Sequence, residues 1–310
     1  MKVLITSGGG AKGAFSVGAL QTIQANTASP FDFISGTSTG SLIAALMAGN
    51  QLQTLVDVYR NTTNADILTT QNIINNLTSG RPFLFDTGPL EQQINTHVTA
   101  AVFDRIRQSA ATLCLNAVSL QTGKITVFTT KNILANLHLY DIVQIDSLDL
   151  MKKALLGSSN QAVFLPPVKI GTTQYVDGGN REVIPSKIVV NNLNPNENHE
   201  IYVLSNNPHE LVTVNEIFTD LIKVLFRAIV LFIQEGREND LDTLANFKSQ
   251  APSNIKIKIF YIHPPGELDR EFPTGLRFDP LLMQFWMQTG RDTAEQILRD
   301  FPDGNFRLPF

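Results

Sequence analysis

Two glycine-rich turns constrain the fold of this chain most strongly. The first covers residues 7–13 and follows an apolar run, Lys2–Thr6, that predicts a strand. The second covers residues 36–40 and follows a β-prone run at residues 31–35. Each turn leads into a helical stretch, and strands that alternate with helices are typical of a mostly parallel sheet covered on both faces. The sequence therefore predicts an α/β fold of three layers, α/β/α, with a mostly parallel central sheet.

The rest of the chain continues this pattern. Further strands are predicted over residues 112–120, 124–129, 173–176, 201–205 and 255–262. Helices are predicted from the first turn to residue 24 and over residues 41–48, 149–156, 214–234 and 281–299, with loops and short helices over residues 61–99. No repeat or linker divides the chain. We therefore expect one domain over residues 1–310, with a motif-bearing core over about residues 1–205 and an α/β completion over about residues 206–310.

Composition narrows the class of protein. The chain has 310 residues, of which 43% are hydrophobic and 17% charged, so it can fill a sizeable core. Its formal net charge of −4 gives no basic footprint, and we expect no nucleic acid among its partners. Cys114 is the only cysteine, which excludes an intrachain disulfide and a cysteine-rich metal site.

Two apolar stretches bear on the compartment. The run at residues 3–5 is too short for a signal peptide. The stretch at residues 221–233 is interrupted by Lys223 and Arg227 and is too short to span a bilayer. We therefore expect a soluble, cytoplasmic protein, and the lone cysteine suits a reducing compartment.

The second turn, residues 36–40, reads Gly-Thr-Ser-Thr-Gly and matches the pattern G-x-S-x-G. Between a strand and a helix this pattern forms a nucleophile elbow, in which small flanking residues permit a sharp turn that exposes the serine hydroxyl. The N-terminus of the following helix favours negative charge near Ser38. The alternative is a Gly/Ser turn without chemistry, but the position between strand and helix favours Ser38 as a nucleophile.

The first turn contains Gly8, Gly9, Gly10 and Ala11, whose backbone N–H groups can converge on one anion. That anion could be a phosphate or the oxyanion of an acyl-transfer intermediate. A Walker loop is excluded, because Lys12 is followed by Gly-Ala rather than by Ser or Thr.

A dinucleotide-binding loop is a weak match to the same turn. Gly8, Gly10 and Gly13 fit G-x-G-x-x-G, but that fingerprint expects an acidic residue at the end of the next strand. Asp32 stands at the start of that strand instead. A non-catalytic module that binds a nucleotide or phosphate remains the alternative from another functional class.

A third motif reads Asp-Gly-Gly at residues 177–179, directly after a predicted strand. At a strand end before two glycines, Asp177 could face a cleft with little steric cover. Asp-Gly alone is a common turn signal, so this motif carries weight only together with the other two.

The three motifs in this order resemble the patatin-like phospholipase family. Its marks are a loop G-G-G-x-[KR]-G, an elbow G-x-S-x-G and a D-G-G/A motif, which correspond here to residues 8–13, 36–40 and 177–179. Residues 157–168 also resemble the family, and the resemblance covers about the first two-thirds of the chain. Thr39 stands where many members have Ala, a change that an elbow accommodates.

The resemblance implies a patatin-like fold and a lipid acyl-ester hydrolase with a Ser-Asp dyad. Ser38 would attack the ester carbonyl, and Asp177 would accept its proton and then activate the hydrolytic water. N–H groups of residues 8–11 would hold the oxyanion. The implied reaction needs no cofactor and no metal, and calcium dependence is not expected.

Two side chains leave alternatives open. His263 follows Asp177 in the order Ser, acid, His of an α/β-hydrolase, so a Ser-His-Asp triad competes with the dyad. Lys12 could stabilise its loop or meet a lipid phosphate, but a solvated side chain is the simpler expectation.

The predicted helix over residues 214–234 has an almost continuous apolar face. Its members are Leu221, Val224, Leu225, Phe226, Ile229, Leu231, Phe232 and Ile233. We favour a buried core helix or a dimer face, and a wall for acyl chains or an interfacial helix stays open. Four phenylalanines could also line an acyl cleft, although core packing is favoured for them: Phe83, Phe85, Phe272 and Phe278.

The expected partner is a lipid or another acyl ester, and a small soluble ester is the competing substrate. Transient contact with a membrane surface, a homodimer and an activating partner are left open. Export as an effector, by a route without a signal peptide, is also compatible with the resemblance.

Overall fold

The computed structural model describes residues 1–27, 29–69, 76, 78–211, 213, 215, 217–269 and 275–306, with the backbone alone at residues 221, 222 and 226. Its strands are β1 Lys2–Thr6, β2 Phe33–Thr37, β3 Thr112–Ser119, β4 Ile125–Thr129, β5 Tyr140–Gln144, β6 Val168–Ile170, β7 Thr173–Asp177, β8 His199–Leu204 and β9 Ile257–Ile262. Its α-helices are α1 Gly13–Asn26, α2 Thr39–Ala48, α3 Leu52–Asn61, α4 Gly88–His97, α5 Ala100–Gln108, α6 Leu148–Ser159, α7 Ser186–Val190, α8 Leu221–Ser249 and α9 Pro280–Asp300. Short 3₁₀ turns cover Gly10–Lys12, Asn64–Asp66 and Gly178–Asn180.

Nine strands form one sheet in the order β5-β4-β3-β2-β1-β8-β9, with β7 paired to β3 and β6 paired to β7. Five pairings are parallel: β1 with β2, β1 with β8, β2 with β3, β4 with β5 and β8 with β9. The antiparallel pairings are those of β3 with β4, β3 with β7 and β6 with β7. The prediction of a mostly parallel sheet is confirmed.

The two faces of the sheet carry separate apolar cores, because successive side chains of a strand point to opposite faces. In β1, Leu4 belongs to the core that also contains residues of α1, α2 and α9. Val3 and Ile5 belong to the opposite core, which contains residues of α7 and the C-terminal half of α8. Helices therefore cover both faces, and the predicted α/β/α architecture is confirmed.

For most of the predicted strands and helices that the structure contains, the predicted and observed ends differ by only a few residues. The exception is the helix predicted over residues 214–234: α8 begins at Leu221 and continues to Ser249, and residue 214 lies outside the described residues. Asp220 sets the start, since its carboxylate accepts the N–H of Lys223 at 3.1 Å, as an N-cap residue does. The part of α8 beyond residue 234 has a polar outer face, but on its inner face Leu244 and Phe247 are buried in the core.

Strands β5 and β6 and helices α3, α5 and α7 were not predicted. Over residues 61–99, the prediction of loops and short helices agrees with the 3₁₀ turn Asn64–Asp66 and with α4, and residues 70–75 and 77 lie outside the described part. Among the described residues, no helix combines the length and the apolar character needed to cross a membrane.

Candidate active site

Two strands bring the second and third motifs together by running toward each other along one edge of β3. Strand β2 is parallel to β3 and ends with Thr37 opposite Asn116. Strand β7 is antiparallel to β3 and ends with Asp177 opposite Ala117. Because Asn116 and Ala117 are neighbours, the two strands end head to head. The residue after β2, Ser38, therefore lies beside Asp177.

The turn at Ser38 has the backbone of a nucleophile elbow. Ser38 has φ 59° and ψ −133°, a conformation that non-glycine residues rarely adopt. The flanking glycines are required by space: a Cβ on Gly36 would lie 2.2 Å from the carbonyl oxygen of Gly40. A Cβ on Gly40 would lie 2.3 Å from the carbonyl oxygen of Thr6. The sharp turn needs glycine at both positions, as the motif predicts.

Neighbouring serines hold this strained turn. The N–H of Ser38 donates to Ser158 Oγ at 3.0 Å, and Ser158 Oγ donates to the carbonyl oxygen of Asn116 at 2.6 Å. The carbonyl oxygen of Ser38 accepts from Ser41 Oγ at 2.7 Å and from the Ser41 N–H at 2.8 Å. The backbone on both sides of the candidate nucleophile is therefore fixed before any substrate binds.

Asp177 is only 6% exposed, and its carboxylate has two neighbours. Its Oδ1 accepts the N–H of Gly179 at 2.7 Å, and the Ser38 side chain is its second polar neighbour. Burial raises the pKa of Asp177 to about 6, and these two neighbours oppose that rise. At neutral pH the carboxylate is therefore ionised and a stronger base than an exposed one.

Two of the four predicted N–H groups of the glycine loop are available to bind an anion. The N–H of Gly8 donates to the carbonyl oxygen of Val183 at 3.3 Å, and that of Ala11 donates to Gly275 at 2.8 Å. In the part of the chain that the structure describes, the N–H groups of Gly9 and Gly10 have no partner. Both glycines have positive φ, 150° and 56°. Of the four predicted donors, Gly9 and Gly10 are therefore the two whose N–H groups are open to an anion.

Asn206 orients the loop, and the sequence analysis missed it. Its Nδ2 donates to the carbonyl oxygen of Ser7 at 2.9 Å and to that of Gly8 at 3.3 Å. Since the C=O and N–H of a trans peptide point in opposite directions, the N–H of Gly9 points away from Asn206. Ser16 Oγ donates to Asn206 Oδ1 at 2.7 Å and fixes the amide. The signal in the sequence was its position two residues after the end of β8, because β8 and β1 are parallel neighbours that end side by side and Ser7 directly follows β1.

Lys12 is 1% exposed, so the expectation of a solvated side chain is wrong. Its ammonium group donates to Asn207 Oδ1 and lies 3.2 Å from Glu267 Oε1. Burial lowers the pKa of Lys12, and the Glu267 carboxylate opposes that change. Lys12 therefore ties the glycine loop to the segments after β8 and β9.

The described residues form no Ser-His-Asp triad. The His263 ring lies against Tyr261, with 4.7 Å between ring centroids, and near His209 at 5.8 Å. Its Nδ1 lies 3.0 Å from the carbonyl oxygen of Pro264. In the described ranges no hydrogen bond joins a histidine ring to Ser38 or Asp177; His97 lines a cavity next to Ser38, but its Nε2 lies 3.2 Å from Gln93 Oε1. Among the described residues there is also no cluster of three or more His, Cys, Asp or Glu side chains that could hold a metal ion.

Ser38 lies between two hollows. A cleft of about 440 Å³ is lined by Gly9, Asp177 and other residues of the three motifs. A narrow cavity of about 110 Å³ extends beneath α2, α3 and α4. Its polar lining residues include Thr39, Tyr59, Thr62, Gln93, His97 and Ser159, but most of its surface is apolar and is formed by Leu42, Leu46, Leu55, Val58, Ile67, Leu68, Leu90, Ile94, Val98, Leu165, Leu276 and Phe278. Both hollows share Ser38 and Gly10, so an ester carbonyl at Ser38 could extend one substituent into each.

The N-terminal half of α8 forms one wall of the wider cleft through Leu225, Ile229, Phe232 and Ile233. The favoured prediction of a buried core helix is therefore wrong for this half, in which no described side chain is buried. Leu221 and Phe226 of the predicted face lie outside the described side chains.

The four phenylalanines have different surroundings. Phe278 lines the narrow cavity, Phe85 packs partly buried against the core, and Phe83 pairs by a backbone bridge with Val163. Phe272 lies outside the described residues.

Comparison with known proteins identifies a family and several similar proteins. The family model for patatin-like phospholipases matches residues 4–211. A cUMP-AMP-activated phospholipase from Escherichia coli is 49% identical over 51 residues, which are 15% of this chain and 16% of that protein. The chain thus spans about a sixth of that relative's length.

Two solved structures resemble the fold more broadly. VipD from Legionella pneumophila matches 96% of this chain and 67% of its own at 11% identity, with a TM-score of 0.48. The type III effector protein ExoU matches 96% of this chain and 52% of its own at 12% identity, with a TM-score of 0.41. The family match covers all three motifs and both strands that meet at Ser38. The chain belongs to the patatin-like phospholipase family.

Proposed function

We propose that the protein hydrolyses acyl esters of lipids, with Ser38 as the nucleophile and Asp177 as its base. The observation that carries this proposal is the meeting of β2 and β7, which sets a strained, half-buried serine against a buried carboxylate. The N–H groups of Gly9 and Gly10, on the same cleft, support a place for an oxyanion. Family membership supports the lipid substrate.

The acylation step follows from these positions. Ser38 Oγ attacks the carbonyl carbon of the ester while its proton passes to the Asp177 carboxylate. Negative charge develops on the carbonyl oxygen, where the N–H groups of Gly9 and Gly10 donate to it. As the intermediate collapses, the carbon–oxygen bond to the leaving alcohol breaks, and that oxygen takes the proton from Asp177. The acyl group remains on Ser38.

Deacylation repeats the sequence with water. Asp177 accepts a proton from the water as its oxygen attacks the acyl carbon. The bond to Ser38 Oγ then breaks, and Ser38 regains a proton from Asp177. The products are a carboxylic acid and an alcohol, and both side chains return to their starting states.

The two hollows suggest where the halves of the substrate lie. The narrow apolar cavity suits an acyl chain, because burying methylene groups there removes them from water. The wider cleft, which includes the polar residues Asn180 and Asn207, suits the larger leaving group.

The test is hydrolysis of phospholipid and of p-nitrophenyl esters by the wild type, Ser38→Ala and Asp177→Asn. Both variants should lose at least about a thousandfold in kcat/KM, since each removes a reacting group. Ser253→Ala and Asp149→Asn are matched controls, because both residues are exposed and line neither hollow, and they should keep wild-type activity.

Other results would contradict the proposal. Retention of most activity by Asp177→Asn would remove the dyad and make His263 the next residue to replace. A silent wild type whose thermal unfolding is shifted upward by a nucleotide would favour the phosphate-binding alternative at the glycine loop.

A further inference from the structure

We propose that the N-terminal half of α8, residues 221–234, docks the protein on an anionic lipid surface with the mouth of the Ser38 cleft facing the bilayer. This inference rests on the proposed function and deepens it, because it names the surface from which the substrate enters.

The mouth of the cleft is rimmed by apolar side chains that remain exposed. Phe232 of α8 lines the cleft and is 76% exposed. Val163, from the segment between α6 and β6, lines the same cleft and is 53% exposed. Val163 also has φ 75°, an outlier for a β-branched residue, and its carbonyl oxygen is held by the N–H of Leu84 at 3.1 Å. The fold thus places strain on a residue whose side chain remains exposed at the mouth.

A second apolar stripe lies beside the cleft wall on α8. Val224 and Leu231 are seven residues apart, and therefore on one face of the helix. They are 45% and 46% exposed and line neither hollow. At 100° per residue, this stripe lies between the cleft-lining stripe of Leu225 and Phe232 and the position of Arg227.

The charge of this half of the helix is one-sided. Residues 221–234 contain Lys223 and Arg227 but neither Asp nor Glu, although the whole chain carries a formal net charge of −4. Asp220 caps the first turn of this half, and the next acidic residue is Glu235, in the half that packs on the core, so residues 220–234 carry two cations against one carboxylate. An apolar stripe bordered by basic residues is typical of helices that lie in the interface of anionic membranes. Since Phe232 both lines the cleft and is exposed next to this stripe on the same half of α8, a lipid bilayer is the occupant that fits this surface.

The experiment measures co-sedimentation with vesicles of phosphatidylcholine and of an equimolar phosphatidylcholine–phosphatidylglycerol mixture. Ser38→Ala serves as the background, so that the vesicles stay intact. Val224→Ser combined with Leu231→Ser should lower the partition coefficient on mixed vesicles about tenfold or more. Lys223→Gln combined with Arg227→Gln should weaken binding to mixed vesicles and leave binding to phosphatidylcholine unchanged.

The matched control is Leu281→Ser combined with Phe285→Ser. These two apolar residues of α9 are 78% and 66% exposed and line neither hollow, so this variant should bind like the background protein. Circular dichroism establishes that each variant is folded. The proposal is overturned if the α8 serine variant binds unchanged, or if the α9 control loses binding equally.

Two further measurements distinguish lipid docking from dimerisation and from a loss of catalysis. If the α8 serine variant changes only the elution volume on gel filtration, the face pairs with a second copy and the proposal is wrong. With Ser38 intact, the α8 serine variant should hydrolyse a soluble short-chain ester like the wild type and lose activity on mixed vesicles. A wild type that binds vesicles without hydrolysing any ester would remove the proposed function and leave the docking surface standing.

Discussion

Asp177 sets the pH dependence of the proposed reaction, because only its ionised form can accept the Ser38 proton. Burial raises its pKa to about 6, while the Ser38 side chain and the Gly179 N–H oppose the rise. We expect kcat/KM on a soluble ester to be constant above about pH 7 and to fall about tenfold per pH unit well below pH 6. A pH–rate profile of the wild type measures this, and an inflection near the ordinary value of 3.8 would contradict it.

Two other buried carboxyls need a control in that experiment. Burial raises the pKa of both Glu182 and Asp240 above the usual range of a carboxyl, and the nearby Glu182 carboxylate raises that of Asp240 further. Asp240 accepts the N–H groups of Val183 and Ile184, two residues of the segment that follows the Asp177 turn. An inflection that belongs to Asp177 should stay near pH 6 in Asp240→Asn.

The raised pKa of Asp177 also predicts an effect on the stability of the fold. A carboxyl with a higher pKa in the folded than in the unfolded chain stabilises the fold while protonated. Its contribution is present below 3.8 and is lost as the pH rises through about 6. A shift of about two units corresponds to about 3 kcal/mol. Asp177→Asn should therefore raise the free energy of unfolding in urea by up to about 3 kcal/mol near pH 8 and by almost nothing near pH 4. An equal gain at both values would be inconsistent with this assignment.

At the scale of residues, motifs predicted the positions of Ser38 and Asp177 because an elbow and a strand end each need particular small residues nearby. The engaged N–H groups of Gly8 and Ala11 could not be predicted, since their acceptors lie far along the chain. The burial of Lys12 depends likewise on Glu267, a partner that no local pattern indicates.

At the scale of elements, α3 shapes the narrow cavity through Tyr59. Its hydroxyl lies 2.5 Å from the Oγ1 of Thr39, the residue after Ser38, and burial raises the pKa of Tyr59 to about 12. Both side chains line the cavity in which we place the acyl chain. Tyr59→Leu should widen the cavity and shift kcat/KM by about tenfold toward longer acyl chains relative to shorter ones.

Tyr59→Phe is the matched control for this change. It removes the hydroxyl but keeps the ring, so the preference for chain length should follow the wild type, at a cost in stability of about 1 kcal/mol. A series of p-nitrophenyl esters of increasing chain length measures both variants. If Tyr59→Phe and Tyr59→Leu shifted the chain-length preference equally, that preference would depend on the Tyr59–Thr39 hydrogen bond rather than on the volume of the cavity.

Helix α3 itself carries a readable pattern, with Leu52, Leu55, Val56 and Tyr59 at the spacing of one helix face. That pattern could have revealed Tyr59 as a lining residue. For helix α8, by contrast, the sequence does not indicate which side of the helix is buried. Its apolar sequence is equally typical of a core helix and of a cleft wall, and only the tertiary packing decides which side is covered.

At the scale of the whole molecule, the alternation of strands and helices was enough to predict a three-layer fold. It was not enough to predict that β7 would pair antiparallel with β3 beyond the end of β2. That pairing joins residues far apart in sequence, and it is the step that creates the site.

We propose that residues 1–310 fold as one domain, and the contact between α1 and α9 supports this. A Cβ on Gly18 would lie 1.9 Å from the carbonyl oxygen of Met287, and one on Gly290 would lie 2.0 Å from that of Phe15. Two helices from opposite ends of the chain thus pack backbone to backbone. Trp286, the only tryptophan, is buried in that same core and reports on it.

If α9 and the sheet form one cooperative unit, Trp286 fluorescence and far-UV circular dichroism should give coincident transitions in urea, which is the standard test of such a unit. Gly290→Ala should shift both transitions together and lower the free energy of unfolding by about 1–3 kcal/mol, because the added methyl group has no room. Gly88→Ala, at a helical glycine whose Cβ would meet no atom within 4 Å, should leave stability unchanged or slightly higher. Separate transitions for the two probes would contradict the proposal of one domain. The Trp286 signal would then report the loss of the α1–α9 contact while the sheet remained folded, and α9 would belong to an independent unit.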